Sequence, residues 1–147
     1  MNISYNWLKS YLNFDLSAED TAKKLTSLGL EVGTVEEIQT MKGGLEGLVT
    51  AKVVECEDHP NSDHLHITKV DAGNGELIQV VCGAANCRAG LTTILATVGT
   101  TLYSGDESFS IKKSKIRGIE SFGMLCAEDE IGIGTSHEGI IELPEGT

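Results

Sequence analysis

Residues 66–82, HITKVDAGNGELIQVVC, contain the clearest strand pattern in the chain. Two runs rich in Val, Ile and Thr, residues 66–70 and 76–82, flank the stretch Asp71-Ala72-Gly73-Asn74-Gly75. Glycine and asparagine tolerate the left-handed backbone that tight turns require, so this stretch predicts a hairpin turn. The segment therefore predicts two adjacent antiparallel strands.

Short strands are predicted on both sides of this hairpin. Val49, Ala51 and Val53 alternate with Thr50 and Lys52, which is typical of a half-buried strand, here running to about residue 57. Further strands are predicted at residues 92–98, 108–111, 114–116 and 123–126. About seven short strands with turns between them indicate a mainly β fold, either a barrel or a sandwich.

Residues 1–38 have a different pattern. Asn6 is placed to cap a short helix, and Ser17 opens a second one with Asp20 in the capping-box position. Gly29 is placed to end the second helix, and a strand is predicted between residues 30 and 38. A segment this short cannot enclose a core alone, so its apolar side chains need another surface. These are Trp7, Leu8, Tyr11, Leu12, Leu25, Leu28, Leu30 and Val32. Lys42-Gly43-Gly44 is predicted to be a linker.

Composition limits the classes of function. The 147 residues are 40% hydrophobic and 22% charged, which excludes a disordered or fibrous chain. The 22 acidic residues exceed the 11 basic ones, so nucleic-acid binding would have to depend on a local basic patch. We find neither a signal peptide nor an apolar run of ~18 residues. The expected location is cytoplasmic, with the four cysteines reduced.

Catalytic and metal-binding patterns are weak. His59 and His64 have the spacing of a histidine pair, but no Cys-x-x-Cys accompanies them, so no zinc is expected. Ser136-His137-Glu138 contains the residue types of a catalytic triad, but three adjacent residues cannot converge in space as a triad must. Glu128-Asp129-Glu130 is more typical of a solvated face. We expect no catalytic residue in this chain.

Basic residues are concentrated in one short stretch. Lys112, Lys113, Lys115 and Arg117 supply four of the eleven positive charges within six positions. In a strand, Lys113, Lys115 and Arg117 would project to one side, because side chains alternate with period two. That side could contact phosphates. It could equally protect an exposed strand edge, a common use of lysine.

Three motifs resemble the tRNA-binding OB-fold domain that is appended to several aminoacyl-tRNA synthetases. They occur in order at residues 59–65 (HPNSDHL), 81–86 (VCGAAN) and 115–124 (KIRGIESFGM). The resemblance implies a Greek-key barrel of OB type over residues 40–147. Carried over from the third motif, Arg117, Ser121 and Met124 are implied to lie near the tRNA-binding face. Asn61 and Asn86, from the other two motifs, complete the implied nucleic-acid-binding set with the three lysines.

The flanking segments are similar to the β subunit of bacterial phenylalanine–tRNA ligases. They are residues 3–8 (ISYNWL), 25–32 (LTSLGLEV) and 136–144 (SHEGIIELP). This resemblance implies an N-terminal fragment, in which residues 1–39 are half of a split α+β domain and the OB domain follows. It also implies an ATP- and Mg²⁺-dependent ligase with an α subunit in an α2β2 assembly, and tRNA as partner, without DNA or membrane. Neither cofactor is expected in this fragment.

Two substitutions lower the expected affinity for tRNA. Ser62 and His64 stand where the resembled pattern usually has alanine and lysine. The histidine removes a full positive charge near neutral pH. With a net charge of −11, the sequence predicts weak, salt-sensitive tRNA binding. The alternative is a structural or protein-interaction module of the synthetase with little RNA affinity.

Overall fold

The computed structural model describes residues 1–41, 43–104 and 106–147. The chain divides into two compact units, Met1–Ile38 and Gln39–Thr147. Lys42, the first residue of the predicted linker, lies outside the described residues. Gly43 and Gly44 follow it with positive φ angles, 82° and 63°, which glycine adopts without steric cost.

The first unit contains the two predicted helices. Helix α1 spans Tyr5–Lys9 and helix α2 spans Ala18–Ser27. The prediction for α2 is confirmed, because the Ser17 hydroxyl accepts a hydrogen bond from the Asp20 amide at 3.1 Å. Helix α1 begins earlier than predicted, because Ser4 rather than Asn6 caps it, accepting from the Trp7 amide at 3.3 Å.

The strand predicted between residues 30 and 38 is wrong. Gly29, with φ of 91°, ends α2, and the Leu30 amide donates back to the Leu25 carbonyl at 3.0 Å. The Val32 amide then donates to the Thr26 hydroxyl at 3.1 Å. These amides therefore cap the helix instead of joining a ladder, and the described residues of this unit contain no strand.

Apolar side chains of the first unit remain open to solvent. Trp7 is 59% exposed and Leu28 is 71% exposed. Trp7 packs edge-on against Tyr11 with ring centroids 5.1 Å apart. That residues 1–39 are half of a split domain stays a prediction.

The second unit is built from antiparallel strands, with no helix in its described residues. Its nine strands are β1 (Leu48–Asp58), β2 (His66–Asp71), β3 (Leu77–Cys82), β4 (Thr92–Thr97), β5 (Thr101–Ser104), β6 (Glu107–Ser110), β7 (Ser114–Ile116), β8 (Ile119–Ser121) and β9 (Gly123–Leu125). The seven predicted strands are present. The sequence analysis did not predict β5 and β8.

Five strands form one sheet in the order β3-β2-β1-β4-β9. Strand β1 occupies the centre, pairing with β4 along its first half and with β2 along its second half. The register shifts between Val53 and Glu55, a bulge that bends the strand so that it can serve both neighbours. The predicted turn after β2 is confirmed, because the Asp71 carboxylate accepts from the Gly73 amide at 2.8 Å.

The two ends of this sheet meet, so the sheet is a nearly closed barrel. The Phe122 amide donates to the Gln79 carbonyl at 2.9 Å, which joins β3 to the chain entering β9. Beside it, the Val81 amide donates to the buried Ser121 hydroxyl at 3.0 Å. On the other side, Gly123 permits the close approach of β9 to β4, since a Cβ there would lie 2.8 Å from the Ala96 carbonyl oxygen. The mainly β, OB-type expectation is confirmed.

The barrel encloses two groups of buried apolar side chains. The larger group fills the interior between the five strands, with Val53, Val70, Val80 and Leu95 wholly buried. The smaller group, which includes Leu102, lies where the segment after β9 returns to the barrel. Inward residues of β1 are buried while Thr50 and Lys52 face out, as the period-two pattern predicts.

Replacing Ser121 by alanine should destabilise the chain by about 1–3 kcal/mol, because the buried Val81 amide loses its acceptor. Urea denaturation monitored by circular dichroism would measure the change. Ser114→Ala is the matched control, since Ser114 is the exposed partner of Ser121 across the β7–β8 ladder and should change stability by less than about 0.5 kcal/mol. Equal effects of the two substitutions would contradict the role given to Ser121.

Candidate nucleic-acid interface

The basic stretch forms a tight hairpin between β7 and β8. Arg117 and Gly118 connect the two strands, with φ angles of 48° and 92°. Two central residues with positive φ are typical of a type I′ turn, the connection that matches the twist of paired strands. In this register Lys115 lies opposite Glu120 and Ser114 lies opposite Ser121.

One face of this hairpin carries charge and an aromatic ring. Because side chains alternate along a strand, Lys113, Lys115, Glu120 and Phe122 share a face opposite to that of Ser121, which is buried. We call these four residues the hairpin face. The Lys113 ammonium lies 2.9 Å from a Glu120 carboxylate oxygen and 5.0 Å from the centroid of the Phe122 ring.

Electrostatics differ among the four predicted basic contacts. Lys113 donates to Glu120, and this hydrogen bond, with the added charge of the lysine, holds the pKa of Glu120 below its ordinary value. The pair is half exposed, so it adds little stability. Lys112 and Lys115, by contrast, have neither a hydrogen bond nor an ion pair with any described residue. Two of the four cations are thus held by no direct contact from the described residues, although the Glu120 carboxylate opposite Lys115 attracts it across the ladder.

Arg117 does not join the lysines. Its guanidinium turns toward the loop between β1 and β2 and donates to the Asn61 carbonyl at 2.9 Å. The expectation that Arg117 projects with Lys113 and Lys115 is therefore wrong, because Arg117 occupies the turn rather than a strand. Arg117 is exposed as a residue, and its guanidinium also attracts the Asp63 carboxylate of that loop.

A buried histidine ties the same loop to the hairpin. His59 is 3% exposed, and its Nδ1 accepts from the Asn61 amide at 3.0 Å. Its Nε2 lies 3.1 Å from the Ile116 carbonyl oxygen and must therefore be the donor. The neutral tautomer with the proton on Nε2 satisfies both bonds. Both ring nitrogens are used, so His59 positions the Arg117 turn and has no nitrogen left for a metal.

Three of the sequence-predicted residues hold parts of the barrel together and do not lie on the hairpin face. Ser121 is buried and donates to the Gly123 carbonyl at 3.1 Å while accepting from Val81. Met124 is half-buried in β9 against the smaller apolar group. Neither lies on the hairpin face, although Ser121 immediately precedes Phe122. Ser121 supports the seam, the contact between β3 and residues 121–122 that closes the barrel, whereas Met124 packs on the side of β4.

Asn86 is the third, and it holds the C-terminal segment on the barrel. Its amide donates to the Ile140 carbonyl at 2.8 Å and accepts from the Ile140 amide at 3.0 Å, as a neighbouring strand would. Gly139 makes this approach possible, since a Cβ there would lie 2.5 Å from the Asn86 amide oxygen. Arg88 adds a two-bond contact to Glu142, with nitrogen–oxygen distances of 3.0 and 2.8 Å.

Residues 48–147 match a protein family that is described as "Putative tRNA binding domain". The match begins at the first residue of β1, so it includes every strand of the barrel. The chain belongs to the tRNA-binding domain family.

Relatives of this tRNA-binding domain extend the similarity through the first unit. The phenylalanine–tRNA ligase β subunit of Bacteroides fragilis is 69% identical over 145 residues, which is 99% of this chain and 18% of the relative. The β subunits of Porphyromonas gingivalis and Aliivibrio fischeri are 62% and 46% identical, over 98% and 100% of this chain and 18% of each relative. The chain thus spans about a fifth of the length of these relatives, and the resemblance to the β subunits is confirmed.

The sequence analysis missed the part that four residues play at or beneath this tRNA-binding domain's surface. His59 was considered only as one of a histidine pair and within its motif, and Glu120 and Phe122 appeared only within the third motif. Gln79, whose amide donates to the Glu120 carbonyl at 2.8 Å, was not singled out. Glu120 could have been found, because a two-residue Arg-Gly turn pairs it directly with Lys115.

The cysteines of the domain are free thiols in the barrel interior. Cys82, Cys87 and Cys126 are buried, and burial raises the pKa of Cys126 to about 12. Among residues 1–41, 43–104 and 106–147, no group of three His, Cys, Asp or Glu side chains is arranged to hold a metal ion. The absence of zinc stays a prediction for elemental analysis. Neither helix in the same ranges has the length or apolar character that crossing a membrane demands.

The Arg88–Glu142 contact should make stability depend on acid pH. Hydrogen bonds from Arg88 and then Asn86 lower the pKa of Glu142 from 4.5 to about 2. A lowered pKa means that the contact contributes above about pH 4.5 and is lost as the pH falls toward 2. Thermal unfolding of wild type and Glu142→Gln should therefore differ at pH 6 and converge near pH 2.

Glu145→Gln is the matched control for this measurement. Glu145 is a nearby exposed carboxylate whose closest cation, Lys52, is 4.0 Å away. It should follow the wild type at every pH. A difference between wild type and Glu142→Gln that stays constant from pH 6 to pH 2 would contradict the assignment.

Proposed function

We propose that the barrel is the tRNA-binding module of a phenylalanine–tRNA ligase β subunit, and that it binds tRNA through the hairpin face and the adjoining Lys112. The family match over residues 48–147 is the observation that carries the proposal. The geometry supports it, because this surface combines unpaired cations with a backbone held at both the seam and the Arg117 turn. The fragment itself is non-catalytic in this proposal.

Each sequence-predicted residue receives a role from its surroundings. Lys112 and Lys115 contact phosphates directly, and Lys113 does so by exchanging its Glu120 partner for a phosphate. Arg117 contributes the part of its guanidinium that Asn61 leaves open. The remaining four residues position the binding surface without contacting RNA; they are Asn61, Asn86, Ser121 and Met124.

The surrounding charge limits the strength of binding. The chain carries 22 acidic and 11 basic residues, so a polyanion is repelled at long range and attracted only near the hairpin. About four phosphate contacts should weaken binding roughly 50- to 150-fold between about 50 and 200 mM salt. Binding is therefore weak alone and adds to other contacts in a larger assembly.

The alternative is a structural or protein-interaction module with little RNA affinity. It is not favoured, because the matched family is described by tRNA binding and the matched span is the whole barrel. A measured absence of tRNA binding by the 147-residue chain at low salt would reverse this preference.

The names of the relatives support a wider proposal for the whole protein. We infer that it acts with an α subunit, in an α2β2 assembly in the cytoplasm, to attach phenylalanine to its tRNA. ATP and Mg²⁺ would serve that reaction outside this fragment. Copurification of an α subunit with the whole β subunit, and ATP-dependent charging of tRNA by that complex, test this inference.

Removing the two unpaired lysines should weaken tRNA binding and reduce its salt dependence. Each lost phosphate contact lowers the slope of log affinity against log salt by about 0.7–0.9, so Lys112→Ala with Lys115→Ala should lower it by about 1.5. Fluorescence anisotropy with a labelled tRNA(Phe) transcript between 25 and ~200 mM salt would measure the slope.

The matched control removes two lysines from helix α2, Lys23 and Lys24. This double substitution changes the net charge equally but should leave the slope unchanged. If both double variants lower the slope by the same amount, binding follows net charge and the hairpin is not the site.

Replacing Glu120 by glutamine should strengthen tRNA binding severalfold and steepen the salt dependence. The change removes the carboxylate that holds Lys113 at 2.9 Å, and thereby frees a cation beside Lys115. Glu107→Gln, an equal change of charge on the exposed β6 strand, is the control. Unchanged or weaker binding by Glu120→Gln would show that Lys113 contacts no phosphate.

A further inference from the structure

Phe122 is an aromatic residue that the barrel turns outward. Its neighbours Ser121 and Gly123 pack against the interior, whereas Phe122 is 36% exposed. Its amide donates to the Gln79 carbonyl at 2.9 Å, so its backbone belongs to the seam that closes the barrel. The ring therefore projects from one of the best-anchored positions on the surface.

A lysine covers part of this ring. The Lys113 ammonium lies 5.0 Å from the ring centroid, within the range of a cation–π interaction. Sheltering an apolar side chain with a lysine stem is a common structural arrangement. Here the shelter is incomplete, since about a third of the residue stays exposed beside Lys113. Part of an aromatic residue thus remains open beside two lysines and the Glu120 carboxylate.

We propose that Phe122 is a stacking platform for an unpaired nucleobase of bound RNA, with Lys113 and Lys115 binding phosphates next to that nucleotide. The inference rests on the proposed function and deepens it, because it names unpaired nucleotides rather than duplex as the RNA that this face takes. Every base has a π-face, so such a platform tolerates any sequence. Bases inside a duplex are already stacked and are unavailable to it.

Charge favours RNA over an apolar protein segment as the occupant. Lys113 and Lys115 share the hairpin face with the ring, and Lys112 directly precedes them. Alternate residues of a strand lie about 6.6 Å apart, so the two lysines on this face lie within a nucleotide's reach of the ring. A purely apolar partner would leave these cations without water or counter-charge.

Substitution of Phe122 tests the proposal on the 147-residue chain. The probes are fluorescein-labelled U12, a 12-base-pair RNA duplex and the tRNA(Phe) transcript, in anisotropy titrations at a fixed low salt concentration. Phe122→Leu should weaken U12 binding at least about fivefold. It should leave duplex binding and the salt slope unchanged, because stacking releases no counterions. Phe122→Trp should bind U12 as tightly as wild type or more tightly.

Phe109→Leu is the matched control, because Phe109 on β6 is 40% exposed and is the other exposed phenylalanine of the described barrel. It should bind all three probes like wild type. Circular dichroism melts of the Phe122 variants establish that they are folded, and Phe122→Trp keeps the test decisive if Phe122→Leu fails to fold.

Five results would overturn the proposal. Unchanged U12 binding by folded Phe122→Leu would refute stacking while leaving lysine-dependent tRNA binding, and hence the proposed function, intact. An equal loss for duplex, an equal loss in Phe109→Leu, or loss of U12 binding in Phe122→Trp would also refute it. If the wild type binds none of the three probes, the proposed function is refuted as well.

Discussion

The seam between β3 and the chain entering β9 is the constraint on which the rest of the barrel depends. An open five-stranded sheet would leave amide and carbonyl groups of β3 unpaired at one edge, and such groups are costly when buried. The Phe122 amide donates to the Gln79 carbonyl at 2.9 Å, and the Ser121 hydroxyl accepts from the Val81 amide at 3.0 Å. Closure also requires Gly123, because any side chain there would collide with β4.

The seam and the functional surface are parts of the same short segment. Ser121 faces inward to close the barrel, and the adjacent Phe122 consequently faces outward beside Lys113. The hairpin that carries the lysines is held at its other end by His59 and Asn61, which bond to Ile116 and Arg117. These bonds offset the strain of a non-glycine residue at φ 48°. Two anchors thus hold a small basic surface rigid within an acidic molecule.

Local patterns predicted most of the fold. Alternating apolar residues identified the long strands, and the residues around Gly73 identified the turn between β2 and β3. Strands β5 and β8, which pair only within two-stranded hairpins with β6 and β7, were not predicted. A strand was predicted where there is none at residues 30–38, because an apolar pattern there has no strand to pair with among the described residues of the first unit.

The candidate site was less predictable, because it depends on contacts between residues distant in sequence. Charge clustering identified the three lysines, but the ion pair between Lys113 and Glu120 is visible only in the structure, because the register places Glu120 opposite Lys115. Asn86 and Ser121 could be named from motifs, whereas their positions follow from Ile140 and Val81, 54 and 40 residues away. An exposed aromatic cannot be distinguished from a buried one in the sequence, so Phe122 needed the structure.

The central claim is that the hairpin face and Lys112, which the seam holds in place, bind tRNA. Titration of the ¹⁵N-labelled chain with a tRNA(Phe) transcript, followed through backbone amide resonances, tests it most directly. The account predicts that the largest shifts and losses of intensity fall at Lys113, Lys115 and Phe122, with the β5–β6 hairpin little changed. Changes confined to the first unit or to β5–β6, with residues 112–122 undisturbed, would contradict it.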